Sequence, residues 1–344
     1  MDAKEASPSA ARIDWIDQAK GYAMLLVIFC HSPTVEFLVK IGYIFHVPLF
    51  FFLSGYVYNN IKYSDIKEFI KSRTHSIVIP YLCFSALGLV VMILLLLGDP
   101  QPLSTHLHKI GKAVVGTFLG VRNTSRFHGT LWFLACLLTV EAIYTLINRY
   151  TKRKIFHTLL IAAVFSLLGM LFVYKGNYKH QVPFNVDAAF VMIFFFALGN
   201  LWRSIDMHIT NKWILSVLVA ISLGAGLLND RVDTFFLKFG NPILFYVASI
   251  SAILFLVSFF EQLRPVKFIS RIGKSSLVLL ALHQWYIFGP LNFFLNKSGI
   301  LISDSTIGRL GIGLSYTVIS ILILIPTAEY LQSHLPFVVG KKKA

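Results

Sequence analysis

Apolar runs of membrane-spanning length recur along this chain, separated by short basic or Gly-, Pro- and Asn-containing breaks. They predict about ten transmembrane helices, near 21–38, 42–59, 75–97, 130–148, 155–174, 187–204, 211–229, 239–260, 275–295 and 307–331. The first helix is expected to run from about Asp17 to Val39, with a short turn around Lys40 to Tyr43 and a second helix opening at Phe45-His46-Val47-Pro48. At about 100° per residue, Asp17, Lys20, Met24, Val27 or Ile28, and His31 form one stripe. His31 then lies roughly 16 Å along the axis from Lys20, near the middle of a hydrocarbon core about 30 Å thick. An ionisable side chain at that depth is a functional candidate, set against a histidine hydrogen-bonded inside a bundle.

The longest connection runs from Gly98 to Gly129. Its apolar part, Ile110 to Gly120, is too short to span, so it reads as a re-entrant or interfacial segment, either a lid or an ordinary surface loop. In the second helix, Ser54-Gly55 beside Phe50-Phe51-Phe52 permits close backbone approach.

Composition agrees with the pattern: 56% of the 344 residues are hydrophobic and 14% charged, with mean hydropathy +0.70. Too many apolar runs are present for a soluble core, so the fold class is all-α, a polytopic membrane protein embedded in a lipid bilayer. The net charge of +15 sits in short clusters between the runs instead of on one basic face, which is a topology signal and argues against nucleic acid as a partner. Most Lys and Arg fall on one side, led by Arg149, Lys152, Arg153, Lys154 and by Arg264, Lys267, Arg271, Lys274. Both termini are therefore expected to be cytoplasmic. Asp14, Asp17 and Lys20 interrupt the start, so no cleavable signal peptide is expected. Residues 1–11 read as a disordered segment, 12–335 as one integral-membrane domain and 336–344 as a short basic tail. Cys30, Cys83 and Cys136 all fall in apolar runs, giving no disulfide framework and no metal spacing; no metal is expected.

Several residues carry two readings. Lys67, Lys71, Arg73 and His75 before the third helix are a positive-inside anchor or a phosphate site in which Arg73 pairs bidentately and Lys71 acts as a point charge. His128 and Trp132 are an acceptor-stacking platform or an interfacial anchor. Asp187 is a charge placed at a helix N-terminus or a ligand of sugar hydroxyls. His283 is a structural hydrogen-bonder or part of the chemistry. His31 and Glu36 have a His-x4-acid spacing, but Pro33 interrupts it.

Taken together, Arg12, Asp17, Lys20-Gly21 and His31, then FHVPLFFFLSGY, KSRTHSIVIPY, HGTLWFL (128–134) and IGKSSLVLLALH (272–283), resemble the acyltransferase-3 family. The resemblance is to its fucose 4-O-acetylase-like branch of surface-sugar O-acetyltransferases, and it runs from Arg12 to the last helix. It implies a multi-pass inner-membrane enzyme moving an acetyl group from acetyl-CoA on the cytoplasmic side to a sugar hydroxyl of an envelope glycan or lipid-linked sugar. It points to His31 as the catalytic histidine, with Asp17 and Lys20 below it, to Arg73 near the donor, and to Asp187 and His283 as matches to branch positions. Many members have Arg where this chain has Lys20.

O-acylation needs a base for the hydroxyl proton, and His is suited to that near neutral pH. Tyr56, Trp132 or a backbone amide are candidate oxyanion donors, and His46 lies in the same half of the first hairpin as His31. The competing functions are a transporter or flippase, for which buried ionisable groups are equally natural, and a non-catalytic partner in glycan assembly. A homo-oligomer is compatible with all three.

Overall fold

The computed structural model describes residues 14–122, 129–176, 182–298 and 305–341, and among these it is all-helical with no strand. The first half contains α1 (Asp14–His31), α2 (Glu36–Tyr56), α3 (Ile66–Arg73), α4 (Ile79–Leu96), α5 (Leu103–Phe118), α6 (Trp132–Tyr150) and α7 (Ile155–Tyr174). The second contains α8 (Val186–Ser204), α9 (Lys212–Leu228), α10 (Pro242–Gln262), α11 (Lys267–Lys274), α12 (Ser276–Leu282), α13 (Gly289–Ser298) and α14 (Thr306–His334). Each of the ten predicted segments overlaps a helix, although the first, 21–38, crosses the break between α1 and α2. Eight helical stretches among the described residues are long and apolar enough to cross a membrane. The other two are α1, which carries Asp14, Asp17 and Lys20, and α9, which has 17 residues.

The first turn is corrected. Helix α1 stops at His31, and Ser32–Val35 forms the break where Lys40–Tyr43 was expected. Pro33 has no N–H and disfavours a helical residue before it, so the chain turns there, with the Ser32 hydroxyl donating to Phe29 O at 2.6 Å. Pro48 is consequently internal to α2, and the Ile44 carbonyl it would orphan accepts instead from the Ser249 hydroxyl of α10 at 2.8 Å. Gly42 lies against the Cys30 thiol, so the α2 start, six residues earlier, stands about 9 Å beyond the end of α1. His31 is thus recessed within the bundle although it ends its helix.

The third predicted segment starts earlier than expected. Ile66–Leu96 is one 31-residue helical stretch, α3 continuing into α4 through a wider π-type turn at Thr74–Val78. The segment expected as apolar at 110–120 is the amphipathic helix α5, which begins at Leu103 and runs back along α4, with Tyr81 donating to Thr117 O at 2.8 Å. The ninth segment is α12 and α13 joined by a second π-type turn, His283–Phe288.

Close helix crossings follow from glycine. A Cβ on Gly55 would strike Phe196 O and one on Gly199 would strike Phe52 O, so α2 and α8 approach backbone to backbone, as Ser54-Gly55 suggested. Gly21 against Ile269 and Gly273 against Asp17 do the same for α1 and α11. Two apolar cores result. One, around Phe51, Phe52, Tyr144, Phe195, Phe196 and Phe245, joins α2, α6, α8 and α10. The other, around Met24, Ile28, Leu279, Tyr316 and Leu324, joins α1, α12 and α14. Phe50, Phe133 and Leu137 pack against both, and the seam they mark is where the cavity opens. Apolar side chains of α4, α7, α9 and α14 point outward, as a lipid-facing surface requires.

Candidate active site

A cavity of about 520 Å³ follows that seam. Lys20, Met24, Val27 and His31 of α1 all line it, so the stripe read from the sequence is one wall of the cavity. Its Lys20 end is polar, with Ser54, Ser76 and Ser276; the Ser76 hydroxyl is buried there without a hydrogen-bond partner. Its other end is closed by His31, Tyr43, His46, Trp132 and the tip of the α9–α10 connection, Asp233 to Phe236.

Three imidazoles meet at that end. The His31 ring centroid is 5.2 Å from His283 and 6.4 Å from His46, and Tyr43 lies 4.8 Å from His46. Each histidine turns Nδ1 onto a carbonyl of its own helix: His31 onto Val27 O at 2.7 Å, His46 onto Gly42 O at 2.8 Å, His283 onto Leu279 O at 2.8 Å. A carbonyl only accepts, so the proton of each neutral ring sits on Nδ1 and Nε2 carries the lone pair. His31 and His46 line the cavity, whereas His283 is fully buried behind His31 with Nε2 unpartnered. His31 is also the last residue of α1, where the negative end of the helix dipole stabilises positive charge on its ring.

The α9–α10 connection is a built loop. Backbone bonds pair Asp233 and Lys238 in both directions at 2.7 and 2.9 Å, Asn229 accepts from Asn241 N at 2.7 Å, and Val232, Leu237 and Phe239 are buried beneath it. Arg231 donates to Glu36 at 2.8 Å and lies over the Tyr43 ring. Burial pushes the Asp233 carboxyl up, opposed by the Phe236 amide and the Arg231 guanidinium.

Other predicted residues lie outside the cavity. Asp17 is buried at the crossing of α1 with α11. Tyr56 packs edge-on against Trp15 and accepts from Arg203 at its carbonyl, so of the two side-chain oxyanion candidates only Trp132 lines the cavity. Lys71 is exposed on α3. Arg73 sits below the Tyr63 ring and pairs through Nε with Glu141 at 2.5 Å; both are largely buried. Asp187 pairs with Arg122 at 2.6 Å, its side chain fully shielded. His128 lies outside the described residues. Glu36 is spent on Arg231 at the exposed start of α2, so it forms no dyad with His31.

Sequence reasoning missed Glu141, Asp233 and Thr234. Glu141 is a lone acid in an apolar run, CLLTVEAIYTL, which is itself a signal. Asp233 and Thr234 lie in a polar connection whose return into the bundle only the fold reveals.

The fold is thus a polytopic helical membrane protein with a histidine-lined cavity between its helices. Residues 13–329 match the model of a family described as an acyltransferase domain, acyltransferase-3. The chain belongs to that family and is a membrane acyltransferase. No curated protein and no solved structure matches it.

Proposed function

We propose that the chain is an O-acetyltransferase of the fucose 4-O-acetylase-like branch. It moves an acetyl group from cytoplasmic acetyl-CoA to a sugar hydroxyl of a cell-envelope glycan, with His31 as general base. The observation that carries this reading is one cavity with Lys20 and the unpartnered Ser76 hydroxyl at one end and His31, its Nδ1 occupied, at the other.

The Lys20 end fits the donor substrate. Ser54, Ser76 and Ser276 suit the amide groups of a pantetheine arm, and the buried Ser76 hydroxyl still lacks a partner. Lys20, exposed Lys71 and Arg73 supply positive charge for phosphates; Arg73 is one turn from Ser76, and its bond to Glu141 through Nε does not use all five of its N–H groups. The basic clusters near Arg153 and Arg271 support placing this end, and both termini, in the cytoplasm.

At the far end, His31 Nε2 takes the proton of the acceptor hydroxyl as its oxygen adds to the thioester carbonyl carbon. The resulting oxyanion collapses, the carbon–sulfur bond breaks, and the imidazolium returns its proton to the leaving thiolate. The negative end of the helix dipole at the α1 C-terminus stabilises the transient imidazolium.

Purified protein supplied with radiolabelled acetyl-CoA should transfer label to envelope polysaccharide. Mass spectrometry of that polysaccharide should show acetyl groups only when the gene is present. Movement of glycan across a vesicle membrane with no consumption of acetyl-CoA would replace this reading with a flippase.

A further inference from the structure

The tip of the α9–α10 connection faces the same end of the cavity as His31 and carries groups that the transfer step does not use. Asp233, Thr234 and Phe235 all line the cavity. Asp233 is held in place, its Oδ1 accepting from the Phe236 amide at 3.2 Å and its backbone locked to Lys238. Thr234 is 3% exposed, and its hydroxyl is buried without a hydrogen-bond partner. A buried hydroxyl left unpaired costs free energy unless a ligand satisfies it. Phe235 meets Trp132 edge-on at 6.1 Å, so two aromatic rings flank the polar pair. The loop itself is anchored by the Asn229 side chain, which donates to Phe239 O at 3.0 Å, and by Arg231 on Glu36.

We propose that Asp233 and Thr234, flanked by Phe235 and Trp132, form the acceptor subsite and set acceptor specificity for a pyranose bearing a free hydroxyl beside the one acylated. A pyranose has apolar C–H faces that pack on aromatic rings and equatorial or axial hydroxyls that donate to a carboxylate. Asp233 accepts from the neighbouring hydroxyl, Thr234 exchanges a hydrogen bond with the same ring, and the reacting hydroxyl is thereby directed at His31. A site that hydrogen-bonds a substrate hydroxyl discriminates against the deoxy analogue far more strongly than an apolar pocket does. Specificity thus resides in a loop, while the chemistry resides on helices. The proposal rests on the sugar O-acetyltransferase reading.

The test uses the full chain in detergent with acetyl-CoA and a panel of methyl hexopyranosides, each paired with its monodeoxy analogues. With the best acceptor, Asp233→Asn should raise the acceptor KM about tenfold and leave the donor KM unchanged. With the analogue lacking the contacted hydroxyl, wild type and Asp233→Asn should become equivalent. Thr234→Val removes a hydroxyl that bonds nothing in the described residues, so it should raise the acceptor KM without lowering the melting temperature. Asp233→Glu, which keeps the charge, covers the case in which the Asn variant fails to accumulate, and it too should shift the acceptor ranking. Acceptor KM values and rankings unchanged in both Asp233→Asn and Thr234→Val overturn the subsite while leaving acetyl transfer to sugars intact. Wild-type protein that transfers to none of the glycosides overturns the subsite and the sugar reading together.

Discussion

Two sets of buried ionisable side chains lie in this bundle and are handled in opposite ways. At the cavity, His31, His46 and His283 crowd together as neutral-capable rings, each with one nitrogen bonded to its own helix and none paired with a carboxylate by a direct bond. Away from the cavity, Arg73 with Glu141 and Arg122 with Asp187 form ion pairs between distant segments. An ion pair holds a proton and a position firmly, and removing one member strands a charge in a low-dielectric interior. A cluster of imidazoles leaves a basic nitrogen available at little electrostatic cost. Buried ionisable groups here divide into ion pairs that hold helices and imidazoles that pair with no carboxylate among the described residues.

That division is broken most easily at His31. Replacing it with Gln should lower kcat by about 10² to 10⁴, the usual contribution of general acid–base catalysis, with donor affinity and melting temperature nearly unchanged. A large loss of stability instead would place His31 with the ion pairs. For Arg122→Ala the pattern should reverse: about 3–5 kcal/mol of stability lost in chemical denaturation, because Asp187 stays buried and unpaired. Arg122→Leu together with Asp187→Leu should recover most of it, since two apolar groups need no partner. If Arg122→Ala were as stable as wild type, the pair would not be the clasp between α8 and the segment after α5.

Arg73 sits between the two categories, as a member of an ion pair close to the donor end. Arg73→Ala should weaken donor saturation by about 1.5–3 kcal/mol, the range for hydrogen bonds to charged groups, and Arg73→Lys should recover part. An unchanged donor KM with normal membrane levels would make Arg73 a purely structural partner of Glu141.

The smallest effect belongs to an exposed pair. His208 lies outside the spanning segments between Glu261 at 3.0 Å and Asp206 at 3.2 Å, and its hydrogen bond to Glu261 raises its pKa above the ordinary imidazole value. A raised pKa means stability that is fully present below about pH 6.5 and fades as pH rises through the folded value. The side chain is 53% exposed, so solvent screening limits the contribution to under about 1 kcal/mol. Melting temperatures followed from about pH 6 to about pH 8 should fall slightly in wild type, and less in His208→Gln.

The same contrast explains what was legible in the sequence. The spanning segments were readable because an apolar run of sufficient length leaves the backbone few alternatives, and the Lys20-to-His31 stripe was readable because helical periodicity is local. The first turn was misplaced because Lys40 looked like an end, whereas Pro33 sets it and Lys40 donates to Leu227 O from within α2. Helix α5 was shortened because its first two turns are polar on one side. The two buried ion pairs, Arg122 with Asp187 and Arg73 with Glu141, join residues 65 and 68 positions apart, and nothing in either partner's neighbourhood names the other. His46 and His283 stood out as histidines in apolar runs, but their meeting with His31 depends on the π-type turn at 283–288 and the recessed end of α1.

The central claim is that His31 removes a proton, and the most direct measurement compares two acceptors in one variant. A sugar hydroxyl must lose its proton to attack the thioester, whereas hydroxylamine is already a competent nucleophile near neutral pH. Acetyl transfer by purified His31→Gln should fall by about 10² to 10⁴ toward a methyl glycoside and change little toward hydroxylamine, with both rates normalised to wild type. Equal losses toward both nucleophiles, or no loss toward the glycoside, would contradict a general-base role for His31.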